Sequence, residues 1–110
     1  MAYDARQAER LRKALTGRDR VREQPMFGGL CFMLRGHMLC GIGWEGLMFR
    51  VGKDQEAAAL RRPGASVMKL KGRPMRGFIW VDPDACDARA LRNWIALAER
   101  YIATLPARKP

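Results

Sequence analysis

Residues 25–42 read PMFGGLCFMLRGHMLCGI, and the way this stretch pairs with itself decides the fold. It holds Cys31, Cys40 and the single His of the chain, His37, among Met, Phe, Leu and Ile. Arg35-Gly36 suits a two-residue hairpin turn, which sets Leu34 against His37. In that register Cys31 faces Cys40 and both point to one side, while His37 shares the other side with Phe32 and Leu39. A slip of one residue parts the two Cys. No regular register gathers all three, and the stretch has no Asp or Glu to complete a ligand set or to orient an imidazole. The stretch therefore reads as scaffold. Cys31 and Cys40 are expected to be buried thiols on adjacent strands without metal, and His37, close to the turn, to face solvent. Gly28-Gly29 reads as a bend or a close backbone approach. Neither a helix nor a Lys-Ser/Thr pair follows it, so it is not a phosphate loop.

Working outward, Leu30, Phe32 and Leu34 line one face of this hairpin, and Cys31, Met33, Met38 and Cys40 the other. A sheet apolar on both faces needs cover on both, from helices divided between them or from a second copy of the chain. Upstream, Asp4 with Gln7 makes a capping-box pattern. Ala8, Leu11 and Leu15 follow at helical spacing, and Gly17 stops the helix. Strands are expected at 21–26, 30–34, 37–42 and 47–51, with Gly43–Gly46 as a turn. Arg50, between Phe49 and Val51, is expected on the face opposite Leu47, in water or paired with Glu45 or Glu23. Residues 54–62 form a short helix capped by Asp54 and ended by Pro63-Gly64. Two strands, 67–70 and 77–81, flank KGRPMRG. Asp87 then caps a last helix carrying Leu91, Trp94, Ile95, Ala98, Tyr101, Ile102 and Leu105 on one stripe.

The order is helix, four strands, helix, two strands, helix. Strands in consecutive groups indicate a two-layer α+β domain with a largely antiparallel sheet. At 110 residues, with 48% hydrophobic and 29% charged residues, one domain over residues 1–105 is expected, followed by a frayed tail at 106–110. The first residues are charged and lack the apolar core of a signal peptide, and no apolar run could cross a membrane. Three Cys without disulfide spacing fit a reducing cytoplasm.

The net charge of +10 is concentrated in two segments. Residues 1–22 carry Arg6, Arg10, Arg12, Lys13, Arg18, Arg20 and Arg22 against Asp4, Glu9 and Asp19. Residues 61–76 carry Arg61, Arg62, Lys69, Lys71, Arg73 and Arg76 and no acid. Met26-Phe27-Gly28-Gly29, the GLMFRVG and RPGA stretches, Gly72-Arg73-Pro74-Met75 with Gly77, and a closing helix with Trp94 and Tyr101 resemble the TfoX N-terminal domain family. Regulators of bacterial DNA-uptake competence contain this domain. The resemblance covers residues 1–105. It implies an antiparallel α+β fold of the type shared with secretion chaperones, and a non-enzymatic regulatory role without a defined catalytic site; no cofactor is expected. Longer members carry a second, helical domain, so a stand-alone member is implied.

Two functional readings follow. The first is a binding module for nucleic acid or a nucleoprotein partner. Its surface joins both basic segments and centres on Arg62, Lys69, Lys71, Arg73 and Arg76, with Phe78 and Trp80 near for stacking. The second is a protein-interaction module or homodimer using a Met-rich sheet face (Met26, Met33, Met38, Met48) and no nucleic acid. An enzyme is disfavoured, because no paired carboxylates, triad or phosphate loop occurs.

Overall fold

The Asp4 carboxylate accepts from the Arg6 amide at 2.8 Å and opens helix α1, Ala5–Ala14. The capping box does not close: the Gln7 side chain instead accepts from Arg10 at 2.9 Å. These positions come from a computed structural model that describes residues 3–18, 20–26 and 28–107. Asp19 and Phe27, and residues 108–110 of the expected tail, lie outside the described residues.

Strands β1 (Val21–Met26), β2 (Gly29–Leu34), β3 (His37–Gly43) and β4 (Gly46–Arg50) follow as expected. A 3-10 turn, Lys53–Gln55, leads into the short helix α2, Glu56–Ala59. Asp54 lies inside that turn, and no side chain caps it. Strand β5 is Ala65–Leu70 and β6 is Arg73–Val81, so the turn in KGRPMRG shrinks to Lys71-Gly72. Asp87 accepts from the Ala90 amide at 2.8 Å and caps α3, Ala88–Ile102.

All six strands join one antiparallel sheet in the order β1-β2-β3-β4-β6-β5. The helices pack on one face. Leu11, Trp94, Ile95, Ala98 and Ile102 meet Phe32, Leu39, Ile42, Leu47, Phe49 and Val81 there. Trp94 stacks on Phe49 at 5.3 Å between ring centroids.

The opposite face is apolar, and among the described residues no helix residue belongs to its buried cluster. Cys31, Met38, Met48, Met68 and Trp80 are buried there, with Met26, Met33, Met75 and Phe78 packed around them, all from strands. Of the two routes expected from the sequence, helices divided between the faces are not seen among the described residues. Twisted strands and long side chains that lie flat allow the sheet to bury its own second face. Glycine makes the room. A Cβ on Gly43 would stand 2.7 Å from Cη2 of Trp80, and one on Gly41 3.0 Å from Cε of Met48. The Trp80 indole thus crosses β4 and rests on β3.

The β2–β3 pairing departs from a regular hairpin. Leu34 pairs with His37 and Met33 with Met38, but Phe32 pairs with Cys40 and Cys31 with Gly41. Leu39 is the extra residue of a bulge. As a result Cys40 joins the helix-side core while Cys31 joins the Met cluster, so the two thiols do not face each other. His37 is buried, with 6% exposure, and its Nε2 lies 2.6 Å from the Pro106 carbonyl oxygen. That contact and the Arg35 bond to the Leu105 carbonyl at 3.1 Å fasten Leu105 and Pro106 to the β2–β3 turn region.

Cys31, Cys40 and Cys86 are buried free thiols. Burial pushes the Cys31 thiol up to about 11 and raises Cys40 and Cys86 as well. Cys40, deep between sheet and helices, also lies where a second thiolate at Cys31 and the Glu99 carboxylate would repel its charge. The unfolded chain releases these protons near pH 8.5–9 (about the free-thiol value), whereas the folded chain keeps them. Their contribution is therefore full below about pH 8.5 and is lost as pH rises toward the folded values, by at most about 1.4 kcal/mol per thiol per pH unit. Urea midpoints should fall between pH 8 and pH 10, and less so in Cys31→Ala. Equal alkaline losses in both proteins would contradict this.

Candidate polyanion-binding surface

The antiparallel register gives the sheet two chemically different ends. At one end lie the start of β1, the Arg35-Gly36 turn, the end of β4 and the Lys71-Gly72 turn. This end carries Arg20, Arg22, Arg35, Arg50, Lys69, Lys71 and Arg73. At the other end lie the β3–β4 turn with Trp44 and Glu45, and Asp82 and Asp84 after β6. Asp4 lines the same cavity there as Trp44 and Glu45. Trp44 is 75% exposed.

The two basic segments reach this end of the sheet at its opposite edges. They run into β1 and β5, the outer strands of the six, separated by about 24 Å of sheet at ~4.8 Å per strand gap. Several cations of residues 1–22 are also spent on structure. Arg12 forks onto Glu23 at 2.6 and 2.8 Å and reaches Glu9 at 2.7 Å. The first of these bonds holds the Glu23 carboxyl below its usual range. Arg18 binds Glu99 at 2.7 and 3.0 Å.

The five candidates of residues 61–76 also divide. The Arg62 guanidinium stacks on Trp94, 5.1 Å from a ring centroid, on the helix side. Arg76 binds Glu56 Oε2 at 2.8 Å, while Glu56 Oε1 accepts the Gly77 amide at 2.6 Å. The Glu56 side chain is only 13% exposed, so Arg76 balances a partly buried carboxylate and fastens α2 to β6. Lys69, Lys71 and Arg73 remain together on the β5–β6 hairpin, all exposed, and no described carboxylate pairs with them.

The aromatic residues expected to stack on bases are occupied. Trp80 is buried. Phe78 and Tyr101 sandwich the Arg50 guanidinium at 5.2 and 5.6 Å. Arg50 does project from the face opposite Leu47, but its partners are rings rather than Glu45 or Glu23.

The sequence reading passed over Arg35 as a turn residue only. Backbone angles give it more weight. Arg20, Arg35 and Lys71 are the non-glycine residues with positive φ among the described residues, at 65°, 55° and 52°. Arg35-Gly36 and Lys71-Gly72 both have positive φ at two central positions, the demand of a type I′ turn, which Asn, Asp or Gly meets with less strain. A cation before Gly in a two-residue turn was the available signal.

A helical layer on one face of a single antiparallel sheet, with charge polarised along the strands, defines a small two-layer α+β domain. The chain belongs to the TfoX N-terminal domain family, whose model matches residues 13–101. No curated protein and no solved structure matches it. No helix among the described residues is long and apolar enough to cross a membrane.

Proposed function

We propose that this chain is a non-enzymatic regulatory module, linked to control of DNA-uptake competence, that holds nucleic acid against the cationic end of its sheet. Lys69, Lys71 and Arg73 make the contact. The observation that supports this reading most is their exposure on one hairpin without an acidic partner, beside a sheet end already rich in arginine. Family membership supports the regulatory half of the reading. The Met-rich face supports a docking role less, since Met48 and Met68 are at most 1% exposed in the single chain.

Binding of a labelled duplex at rising salt tests the proposal. Three phosphate contacts give a log–log slope of about −2.7, at about −0.9 per contact. Absence of binding at micromolar protein in low salt would sink the proposal and leave protein docking as the alternative.

A further inference from the structure

At the opposite edge of the cationic end, Arg20, Arg22 and Arg35 line one cavity of about 400 Å³, with Met33 and Gln24 among its walls and no Asp or Glu among the described lining residues. Arg22 pairs with Met33 across β1 and β2, so their side chains leave the sheet on the same face. Gln24, two residues on, points the same way. Arg35 is steadied by its bond to the Leu105 carbonyl, which uses one guanidinium nitrogen, Nη2, and leaves Nε and Nη1 to a ligand.

Two of these arginines sit in left-handed backbone, φ 65° at Arg20 and 55° at Arg35. A side chain with a Cβ is held there against its preference. Asn, Asp or Gly would meet this backbone with less strain, yet Arg stands at both positions in the cavity wall.

We infer that this cavity binds a phosphate ester with a flat organic body, a nucleoside diphosphate being the type. Guanidinium forks match phosphate oxygens in bidentate geometry. The Met33 thioether gives an adaptable apolar floor for a planar ring, and the Gln24 amide offers both donor and acceptor to its edge. The volume falls within the range of small-molecule sites. This site is separate from the Lys69–Arg73 hairpin and does not depend on the nucleic-acid reading.

Calorimetric titration of the full chain with ADP and with sodium pyrophosphate tests it. One ADP per chain is expected, bound at least about fivefold more tightly than pyrophosphate because only ADP brings a ring to Met33. Arg20→Asn should weaken ADP binding about tenfold, the loss of one charge-assisted contact. The same variant should melt a few degrees higher, because Asn tolerates the left-handed backbone. Arg22→Gln, on an exposed edge strand, gives a second reading of the same loss. Duplex binding by both variants should fall much less than in Lys71→Glu, which should leave ADP binding unchanged. Failure of ADP to bind at millimolar concentration would overturn the site. Equal affinity for ADP and pyrophosphate would overturn the ligand class, and equal loss of ADP binding in Arg20→Asn and Lys71→Glu would reduce the site to general charge attraction.

Discussion

Gly29→Ala is expected to remove a large share of the domain's stability, while Gly28→Ala, one residue earlier, lowers it only slightly. The two glycines have different physical reasons. Gly28 has φ 73°, with nothing within 4 Å of where a Cβ would stand. Alanine there meets only backbone strain, about 1 kcal/mol. Gly29 needs no unusual backbone, but a Cβ on it would overlap the Ile42 carbonyl oxygen and stand 2.8 Å from the Gly43 Cα. Those atoms are backbone, and no rotamer change can clear them. The strands must part at Leu30–Ile42, a pair whose side chains lie in the helix-side core. Loss of ladder bonds and core contacts together is expected to exceed about 3 kcal/mol, a large share of the ~5–15 kcal/mol that holds a domain. Urea unfolding followed by tryptophan fluorescence measures both. Equal midpoints for the two variants would show that the close approach of β2 and β3 is not real.

That contrast marks how far the sequence could be read. Gly28-Gly29 was legible as a place where side chains do not fit, since glycine in a strand pattern has few other uses. Strand positions were legible too, because alternation survives wherever one face is buried. The Asp4 and Asp87 caps followed from local chemistry alone. The bulge at Leu39 did not. Period-two arithmetic assumes an unbroken ladder, and one extra residue moved Cys40 to the face opposite Cys31. His37 looked exposed because it follows a turn, yet residues 69 positions later close over it.

The candidate surface was half legible for a related reason. Counting charge in a window finds cations but not their partners. Glu56 lies 20 residues before Arg76, and Glu99 lies 81 residues after Arg18, so both arginines counted as free when they were not. Lys69, Lys71 and Arg73 survived the same test because no described acid comes near them. Helices do not divide between the two sheet faces, although the sequence offered that as one way to cover the second face. Methionine and tryptophan side chains are long enough to lie over their own sheet where Gly41 and Gly43 leave space.

Reversing Lys69, Lys71 and Arg73 together to Glu is expected to weaken duplex binding more than about a hundredfold, since three phosphate contacts become three repulsions. Folding should be nearly unaffected, because exposed charges without partners contribute little to stability. Arg76 is left out of this set, since its loss would strand the Glu56 carboxylate and confuse binding with unfolding. Lys71→Asn separates charge from fold more sharply. Its φ of 52° in a two-residue turn is a conformation that Asn accepts more readily than Lys. The single change should raise stability by about 0.5–1 kcal/mol, within the range of turn substitutions that suit their backbone. It should at the same time weaken duplex binding severalfold and make the salt slope shallower by about 0.9. A variant that gains stability while losing affinity locates the cost of the native lysine in its contact with the ligand. If Lys71→Asn gains stability and binds duplex as the native chain does, then the hairpin cations are solvated charges and the nucleic-acid reading fails at the residue it depends on most.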